Sequence, residues 1–566
     1  MNVKTNPEFW PEDVPKSIEY PEIPLHEVLR RSAKKYPDNP AIIFMDGRIT
    51  YKTLDELTDR FATALNALGV QKGDKVALFM PNMPQFIIAF YGTLRVGGIV
   101  TTISPLYRER ELEYQLNNSD AETIVVGWGP GRLTKLYSLV MRIRGKTKLK
   151  RVIVTSIKEY LPGIKKFFAG LLGKIPPLPP KEAGVYYLEE LLKEYPPNPP
   201  KIEIKPKEDI AVLQYTGGTT GIPKGAILTH YNLVSNAVMC SKWLRGREGD
   251  EVFLGALPFF HIYGMTLSLH APIYIAGLTI PIIDPGNVMD SLTTIQKYNV
   301  TVLCGVPTMY LMLINYSDID KYDLSSIRWC ISGASPLPPA VQKKFMELSG
   351  GVLIEGYGLT EASPVTHANP LDKTMKTVKV GSIGITWPDT EAKIVDLNTG
   401  KELNIGEIGE LVVKGPQVMK GYWKMPKETA NTLKDGWLYT GDIARVDEDG
   451  FFYIVDRKKD ILKYKGYSVY PREIEDVLYE HPAVKLCAVV GKPDKESGEI
   501  PIAYIVLKEE ATATKEELIN FVKEIVAPYK RIRDVVFREE LPLTPVGKVL
   551  KRTLREELTK EGETTK

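Results

Sequence analysis

The sequence predicts an α/β protein with a large N-terminal domain of layered α/β subdomains plus a β-rich subdomain, followed by a small α+β C-terminal domain. Three changes of pattern along the chain predict this class. Helical periods alternate with Val/Ile-rich runs first, short glycine-punctuated strands follow Ser382, and a mixed pattern follows Arg457. At 566 residues the chain exceeds what one hydrophobic core organises, so several folded units are expected.

The N-terminal part alternates helix and strand in the order typical of a largely parallel sheet. From about Leu25, TYKTLDELTDRFATALNALG has a helical period, DKVALFM reads as a strand, PQFIIAFYGTLRVG is helical and AETIVVGW is again a strand. The runs TVLCGV and IRWCISG continue the pattern. This alternation predicts the layered α/β subdomains.

The two later regions predict different architectures. Residues 382–456 contain short strands separated by glycines, such as GELVVKG and GFFYIVDR, which indicates a β-rich subdomain. The stretches YPREIEDVLYEHPAV, KLCAVVGKPD, PIAYIVLKE and TKEELINFVKEIV then form an α+β unit of ordinary domain size. We therefore predict domains at 1–456 and 457–566, with the polar DRKKD stretch at the boundary.

The composition excludes several function classes. A net charge of +3 argues against nucleic acid as the main partner. Cysteines occur without zinc-binding spacing, which predicts reduced, mostly buried thiols in a cytoplasmic protein. The N-terminus does not read as a secretory signal, and the longest apolar tracts are interrupted before about twenty residues accumulate, so no transmembrane helix is predicted.

One amphipathic stretch, EYLPGIKKFFAGLLGKIPPLPP, stands apart. Its apolar residues form one helical stripe, comprising Ile164, Phe167, Phe168, Leu171, Leu172 and Ile175. A basic tract, RIRGKTKLKR, precedes it, and basic residues are attracted to anionic lipid surfaces. Two interpretations stay open: a helix packed on the domain surface, or peripheral contact of residues 161–176 with the inner membrane surface.

A glycine-rich stretch, YTGGTTGIPKG, runs from Tyr215 to Gly225 directly after the apolar run DIAVLQ. Glycine allows backbone N–H groups to approach phosphate oxygens closely, and the threonine hydroxyls and Lys224 add donors and positive charge. The spacing matches neither a Walker A loop nor a GxGxxG motif. The stretch therefore predicts a phosphate-binding loop, with a ligand-free hairpin as the alternative.

Four further motifs follow in order: EGYGLTEASPV, LYTGDIA, IVDRKKDILKYKGYSVYPREIE and LPLTPVGKVLKR. Together with the glycine-rich loop they resemble the adenylate-forming superfamily of acyl- and aryl-CoA synthetases, firefly luciferase and peptide-synthetase adenylation domains. The resemblance runs from about Leu25 to Arg552 and is strongest to bacterial long-chain fatty acyl-CoA synthetases. It implies a mobile C-terminal domain and a two-step reaction. A medium- to long-chain fatty acid is activated by ATP and Mg²⁺ to acyl-AMP with release of pyrophosphate, and coenzyme A then accepts the acyl group.

The resemblance implies a nucleotide site. The glycine-rich loop would bind the β- and γ-phosphates, Thr216 and Glu361 would hold Mg²⁺, and Thr360 would contact the α-phosphate. Tyr357 would stack on adenine, while Asp442 and its neighbours would bind the ribose. The implied ATP- and AMP-binding residues are Thr216, Gly217, Gly218, Thr219, Thr220, Gly221, Lys224, Gly333, Ala334, Glu355, Gly356, Tyr357, Gly358, Asp442 and Arg457.

The resemblance also implies catalytic and hinge residues. Lys548 would bridge the incoming carboxylate and the α-phosphate, because a preorganised cation stabilises developing charge. Rotation about Lys459 would then replace the Lys548 loop by a surface on the coenzyme A side that contains Lys463 and Gly466. The implied catalytic residues are Lys548, Lys463, Thr360, Glu361 and His261.

The acyl pocket is the less defined part of the implied site. His261 in PFFHIYG is either a gate between the acyl pocket and the nucleotide or a satisfied core histidine. The implied wall residues are Tyr263, Val306, Thr308 and Met309. Some long-chain enzymes carry a tryptophan gate after the histidine, whereas this chain has IYG, so the sequence leaves chain length open.

Several alternatives stay open beside a fatty acyl-CoA synthetase. They are a CoA ligase for a short-chain, hydroxylated or aromatic acid, an acyl-AMP ligase that loads a carrier protein, luciferase-type oxygenation, and a non-catalytic membrane-peripheral lipid-binding protein. Retention of Lys224, Glu361, Asp442 and Lys548 together argues against the last of these. The expected partners are the carboxylic acid, ATP and coenzyme A, and the oligomeric state stays open, with a homodimer as one option.

Overall fold

The computed structural model describes residues 5–163, 175–216, 223–465, 467–494, 496–544 and 548–564. The chain forms two compact units: Thr5–Glu391 with Val413–Leu438, and Ala392–Val412 with Tyr439–Lys566. The second unit groups strands of the predicted β-rich subdomain with the C-terminal residues. The mobility of the segment that begins at residue 457 stays a prediction.

The strands in chain order are β1 Pro40–Phe44, β2 Gly47–Thr50, β3 Lys75–Phe79, β4 Ile99–Thr102, β5 Thr123–Trp128, β6 Arg151–Ser156, β7 Val185–Tyr187, β8 Ile210–Thr216, β9 Lys224–Thr229, β10 Val252–Gly255, β11 Leu278–Pro281, β12 Val302–Gly305, β13 Trp329–Ser332, β14 Val352–Gly358, β15 Val365–Ala368, β16 Ile385–Thr386, β17 Glu391–Val395, β18 Gly409–Lys414, β19 Gly421–Tyr422, β20 Leu433–Lys434, β21 Trp437–Val446, β22 Phe452–Arg457, β23 Leu462–Tyr464, β24 Tyr467–Val469, β25 Val484–Asp494, β26 Gly498–Leu507 and β27 Asp534–Phe537.

The α-helices in the described residues are Leu25–Lys35, Tyr51–Ala67, Pro84–Arg95, Glu109–Ser119, Arg132–Ile143, Leu188–Glu194, His230–Trp243, Ile262–Met265, Ala271–Tyr274, Val288–Tyr298, Pro307–Ile314, Pro339–Ser349, Pro426–Thr432, Pro471–Glu480, Lys515–Ile525 and Lys551–Thr564.

Two mostly parallel sheets build the first unit. One has the order β16-β15-β14-β13-β12-β10-β11-β1-β2 and the other β19-β9-β8-β4-β3-β5-β6-β7. Pairing is parallel from β14 to β1 and from β8 to β7, and antiparallel strands lie at the ends of these runs. Helices connect parallel strands, so the predicted layered α/β architecture is confirmed.

The longest apolar tract of the sequence forms a buried helix. Every residue of Pro84–Arg95 is buried. Its one cation, Arg95, forms ion pairs with Asp55 and with Asp59, the latter at 2.6 Å between Nη1 and Oδ1. A buried charge of this kind is tolerated because it is paired. Within the described part of the chain, no helix combines the length and apolarity that a membrane span requires.

The C-terminal residues form a two-faced sheet. Its order is β24-β23-β26-β25, with β27 paired in parallel to β26. Side chains alternate between the faces of β25: Cys487 and Val489 pack with helices Pro471–Glu480 and Lys515–Ile525, whereas Ala488 and Val490 face helix Lys551–Thr564. This period of two confirms the predicted α+β pattern. The four cysteines of the chain are buried free thiols, as predicted.

The amphipathic stripe lies largely outside the described residues, but the basic tract before it is well described. Five of its six cations lie within 4.0 Å of carboxylates contributed by residues 109–122; the pairs are Arg142–Glu109, Lys146–Glu113, Lys148–Asp120, Lys150–Glu122 and Arg151–Glu122. This compensation reduces the charge that the tract presents to an anionic surface.

Glu159 gives the first unit a testable pH dependence. Its carboxylate accepts hydrogen bonds from the N–H of Ser156 (2.7 Å) and the hydroxyl of Thr155 (2.7 Å), and burial raises the pKa of Glu159 to about 7. At a pH between the unfolded and the folded pKa of Glu159, the folded protein keeps this carboxyl proton whereas the unfolded chain has lost it. The free energy of unfolding therefore falls as pH rises from about 4.5 to 7, by at most about 3 kcal/mol from this group.

We expect Glu159→Gln to flatten this part of the stability profile, because glutamine carries no titrating proton. Thermal unfolding midpoints measured between pH 4.5 and 7.5 would check the change. The exposed Glu539→Gln serves as the control and is expected to keep the parental profile. Parallel profiles for parent and Glu159→Gln would show that burial does not shift this carboxyl group.

Candidate active site

The carboxyl ends of three parallel strands form one edge of the first sheet. The register pairs Gly305 of β12 with Ser332 of β13, and Ser332 with Glu355 of β14. Residues that follow these positions therefore leave the sheet side by side. Ligands of open α/β sheets bind outside the carboxyl ends of the strands, so this edge is the expected binding face.

Gly333 lies against an aromatic wall at this edge. Its N–H donates to the carbonyl oxygen of Gly305 (3.1 Å), and a Cβ at position 333 would lie 3.2 Å from the ring of Tyr263. The Tyr263 hydroxyl donates to the carbonyl oxygens of Gly305 (3.2 Å) and Ile331 (2.9 Å), which fixes the ring. Ala334 follows with φ of 72°, a left-handed conformation that a non-glycine residue adopts at a cost.

The glycines of β14 are required by close backbone approach. A Cβ at Gly358 would lie 2.2 Å from the carbonyl oxygen of Pro364, and one at Gly356 would lie 2.9 Å from Cγ2 of Ile331. Both distances are shorter than atoms tolerate without movement of a neighbour. The EGYG motif therefore requires glycines because the backbone packs closely at the strand end, where the polypeptide turns toward residues 360–362.

The other residues of this motif place polar and aromatic groups at the edge. Glu355 is buried and its Oε2 accepts from the N–H of Leu337 (3.3 Å). Tyr357 is half-buried, with its ring edge-to-face with His367 at 5.9 Å between centroids. Thr360 begins the 3₁₀ turn Thr360–Ala362. The roles implied for these residues toward ATP stay predictions.

The implied acyl-pocket residues lie on two helix starts. His261 caps helix Ile262–Met265, with its Nδ1 accepting from the N–H of Tyr263 at 3.3 Å. Val306 is the N-cap of helix Pro307–Ile314 and is buried, whereas Thr308 and Met309 are half-buried. His261 thus has a capping role in the fold, and its role as a gate stays a prediction.

The strand pair β8 and β9 brings Thr216 and Lys224 together, because these two residues are register partners. Lys224 is mostly buried and forms an ion pair with Glu428. Its Nζ also lies 5.3 Å from the ring centroid of Tyr422. The hydroxyl of Tyr422 donates to Oε1 of Glu361 at 2.6 Å. The lysine and the carboxylate implied for ATP and metal are therefore linked through one tyrosine.

Part of the glycine-rich loop is not among the residues that the structure describes. Gly217, Gly218, Thr219, Thr220 and Gly221 lie outside the described residues, as does Gly466. Their implied roles toward phosphate and coenzyme A stay predictions.

In the second unit, Asp442 and Arg457 face each other across β21 and β22. They are register partners, and Arg457 Nε lies 3.0 Å from Asp442 Oδ1. The carboxylate is buried whereas the guanidinium is exposed. A fixed carboxylate can accept both hydroxyls of a ribose, which is the role that the family resemblance implies for Asp442.

The turn after β22 contains the implied hinge. Lys458 N–H donates to the carbonyl oxygen of Gly441 (2.9 Å), and Asp460 N–H donates to that of Arg457 (2.8 Å). Lys459 lies between them and is exposed. The backbone is therefore fixed on both sides of Lys459, which is a suitable arrangement for a change of direction concentrated at one residue.

Two lysines of the second unit lie on strands or strand-like segments. Lys463 of β23 is exposed, and its Nζ donates to Ser468 Oγ at 2.8 Å. Lys548 is half-buried; its N–H donates to Thr544 Oγ1 (3.0 Å) and its carbonyl oxygen accepts from Thr544 N–H (2.7 Å). This pair of hydrogen bonds fixes the backbone that carries the Lys548 ammonium group.

Two residues at the candidate site in the first unit were not predicted from the sequence. Tyr422 and Glu428 lie in GYWKMPKET, between the motifs quoted above, and no local pattern marks them as functional. Their partners are far away in sequence: Glu361 is 61 residues from Tyr422, and Lys224 is 204 residues from Glu428. The pairing of β19 with β9 brings them to the site, and a sequence without an alignment does not predict that pairing.

Gly333 and Gly356 at the strand edge, the paired Thr216 and Lys224, and Glu361 in the turn after β14 are typical of an α/β protein that binds a nucleotide. The chain belongs to the AMP-binding enzyme family: that family model matches residues 29–423, and the AMP-binding enzyme C-terminal domain model matches residues 473–548. The resemblance and fold class predicted from the sequence are thus confirmed.

Individual relatives cover nearly the whole chain. A long-chain-fatty-acid–CoA ligase of Bacillus subtilis (strain 168) is 44% identical over 558 residues, which is 97% of each chain. The structure of a long-chain-fatty-acid-CoA ligase from Archaeoglobus fulgidus matches with a TM-score of 0.68 at 29% identity, covering 94% of this chain and 99% of that one. The anthranilate CoA ligase AuaEII in complex with anthranoyl-AMP matches with a TM-score of 0.81 at 28% identity, covering 95% and 97%.

Proposed function

We propose that this chain activates a medium- to long-chain fatty acid with ATP and transfers the acyl group to coenzyme A. The linkage of Lys224, Tyr422 and Glu361 beside the glycine-lined strand edge carries the proposal, because it assembles a cation and a carboxylate of the kind that a nucleotide and its metal ion require. The 44% identity to a fatty-acid ligase over 97% of the chain supports the acyl substrate.

The first step joins a carboxylate to AMP. A carboxylate oxygen of the fatty acid attacks the α-phosphorus of ATP, an O–P bond forms, and the bond to pyrophosphate breaks. Both reactants are negatively charged, so the protein must position them and neutralise charge. We assign the α-phosphate to Thr360 and the bridging cation to Lys548, with Lys224 on the terminal phosphates.

Mg²⁺ fits the residues present. A glutamate carboxylate and a threonine hydroxyl are hard oxygen donors, which this ion prefers together with phosphate oxygens and water. We therefore assign Glu361 and Thr216 to the metal. When bound, the ion would neutralise phosphate charge.

The second step transfers the acyl group to sulfur. The thiol of coenzyme A loses its proton to solvent, its sulfur attacks the acyl carbon, a C–S bond forms and the C–O bond to AMP breaks. We assign Lys459 as the hinge for a change between the two steps, with Lys463 and Gly466 on the coenzyme A side. His261, Tyr263, Val306, Thr308 and Met309 are assigned to the acyl channel.

Pyrophosphate release tests the proposal. Purified protein with ATP and Mg²⁺ is offered acids from C2 to C18 together with aromatic and hydroxylated acids, each with and without coenzyme A. With medium- and long-chain acids we expect continuous pyrophosphate release only when coenzyme A is present. Without coenzyme A we expect a single burst of pyrophosphate from one round of acyl-AMP formation. A preference for aromatic or short acids would establish the alternative ligase, and failure to release pyrophosphate with every acid would refute the activity.

We also propose that residues 161–176 contact the inner membrane surface, where the protein would be located. We further propose that the protein forms a homodimer. Co-sedimentation with anionic vesicles, compared between the parent and a deletion of residues 161–176, would test the first two. Light scattering after size-exclusion chromatography would test the third.

A further inference from the structure

The segment Met419–Glu428 is joined by backbone hydrogen bonds to both parts of the phosphate site. Met419 N–H donates to the carbonyl oxygen of Glu361 (2.8 Å). Trp423 N–H donates to the carbonyl oxygen of Gly225 (2.8 Å), next to Lys224. The segment therefore ties the turn that carries Glu361 to the strand that begins with Lys224.

The backbone of Tyr422 is fixed by its neighbour Gly421 and by Thr429. Gly421 has φ of 146°, and a Cβ at this position would lie 2.6 Å from Cγ2 of Thr429. The N–H of Tyr422 donates to Thr429 Oγ1 (2.9 Å), whose hydroxyl in turn donates to the carbonyl oxygen of Met425 (2.9 Å). These contacts give the Tyr422 backbone one conformation.

The side chain of Tyr422 then touches both functional groups. Its hydroxyl donates to Glu361 Oε1 at 2.6 Å, and its ring lies 5.3 Å from Lys224 Nζ. Tyr422 is 8% exposed. A carboxylate can only accept hydrogen bonds, so the phenol O–H is the donor of this pair.

Glu428 forms an ion pair with the same lysine. Its carboxylate pairs with Lys224, whose side chain is 12% exposed, whereas that of Glu428 is 39% exposed. The two tethers differ in kind: Glu428 acts on the cation, whereas the Tyr422 hydroxyl acts on the carboxylate. A variant of Tyr422 is therefore expected to affect the carboxylate of Glu361, whereas a variant of Glu428 is expected to affect the Lys224 cation.

We propose that Tyr422 is a positioning residue of the ATP site, whose hydroxyl orients the Glu361 carboxylate for the metal that accompanies the nucleotide. This inference rests on the proposed function, in which Glu361 binds Mg²⁺. A carboxylate held by a hydrogen-bond donor keeps its second oxygen aimed in one direction, and such outer contacts tune metal affinity by about 10- to 100-fold. Loss of the hydroxyl leaves the carboxylate in place but free to rotate.

The test is binding of ATP by calorimetry, with Mg²⁺ and with EDTA, to the parent and to Tyr422→Phe. We expect the affinity gained from Mg²⁺ to fall about tenfold in Tyr422→Phe, while the affinity in EDTA is unchanged. Tyr51→Phe is the matched control, since it removes another buried hydroxyl, one that donates to the carbonyl oxygen of Gly277 at 2.6 Å. It is expected to keep the parental gain.

Glu428→Gln provides a second comparison, because it weakens the Lys224 tether without touching the hydroxyl. It is expected to keep the parental gain from Mg²⁺. An unchanged gain in Tyr422→Phe, or an equal loss in Glu428→Gln, would overturn the inference. If the parent itself binds no ATP, the proposed function fails, and that result is distinct from parental binding that Tyr422→Phe leaves intact.

A kinetic measurement distinguishes a positioning role of Tyr422 from a loss of protein stability in Tyr422→Phe. The Mg²⁺ concentration for half-maximal pyrophosphate release is expected to rise about tenfold, with the rate at saturating Mg²⁺ within about threefold of the parent. A partly unfolded sample would lower the rate at every Mg²⁺ concentration and leave the half-maximal concentration unchanged, and that pattern would contradict a positioning role.

Discussion

Replacing Lys548 by alanine is expected to slow acyl-AMP formation by about 10²- to 10³-fold, while pre-made acyl-AMP is still converted to acyl-CoA. The reason is preorganisation. The N–H of Lys548 donates to Thr544 Oγ1 (3.0 Å), its carbonyl oxygen accepts from Thr544 N–H (2.7 Å), and Leu543 forms a β-bridge with Val549, so the backbone that carries the ammonium group is fixed before substrate arrives. Single-turnover pyrophosphate release measures the first step, and AMP release from added acyl-AMP and coenzyme A measures the second.

The exposed Lys523→Ala is the control, because it removes a lysine from the same unit on helix Lys515–Ile525. It is expected to leave both half-reactions at the parental rate. Formation of acyl-AMP at the parental rate in Lys548→Ala would contradict the assignment. An equal loss in both steps would instead indicate a general defect of the unit.

Local patterns predicted much of the fold. The run DKVALFM contains β3, AETIVVGW contains β5, and the amphipathic stretch that begins TYKTLDEL contains helix Tyr51–Ala67. These elements are set by side-chain periodicity over fewer than twenty residues, and that information lies in the sequence itself. The nucleotide-binding role implied for the glycines of EGYG stays a prediction, whereas their close packing against Pro364 and Ile331 is a property that only the fold reveals.

Contacts between distant segments were not predictable. The hydroxyl of Tyr422 reaches Glu361 because a two-residue strand, β19, adds to the edge of β9. So short a strand has no periodicity to detect. The basic tract before residue 161 shows the same limit. From the sequence alone its cations indicate an uncompensated positive patch, whereas in the fold strand pairing places Glu122 beside Lys150.

Replacing Lys459 by proline is expected to slow transfer of the acyl group to coenzyme A by about 10²-fold, with a much smaller effect on acyl-AMP formation. Proline fixes φ near −65° and so restricts the one residue of the turn that lies between two anchored neighbours. A barrier raised by about 3 kcal/mol lowers a rate by about two decades. The two half-reactions are measured separately, by pyrophosphate release and by thioester formation from added acyl-AMP.

Lys459→Ala separates the backbone from the charge. Alanine removes the same ammonium group but leaves φ unrestricted, so we expect both half-reactions to stay within about threefold of the parent. The hinge hypothesis therefore depends on the difference between proline and alanine. Equal losses in both half-reactions for Lys459→Pro would contradict it, because a rotation required only between the steps cannot slow the first step as much as the second.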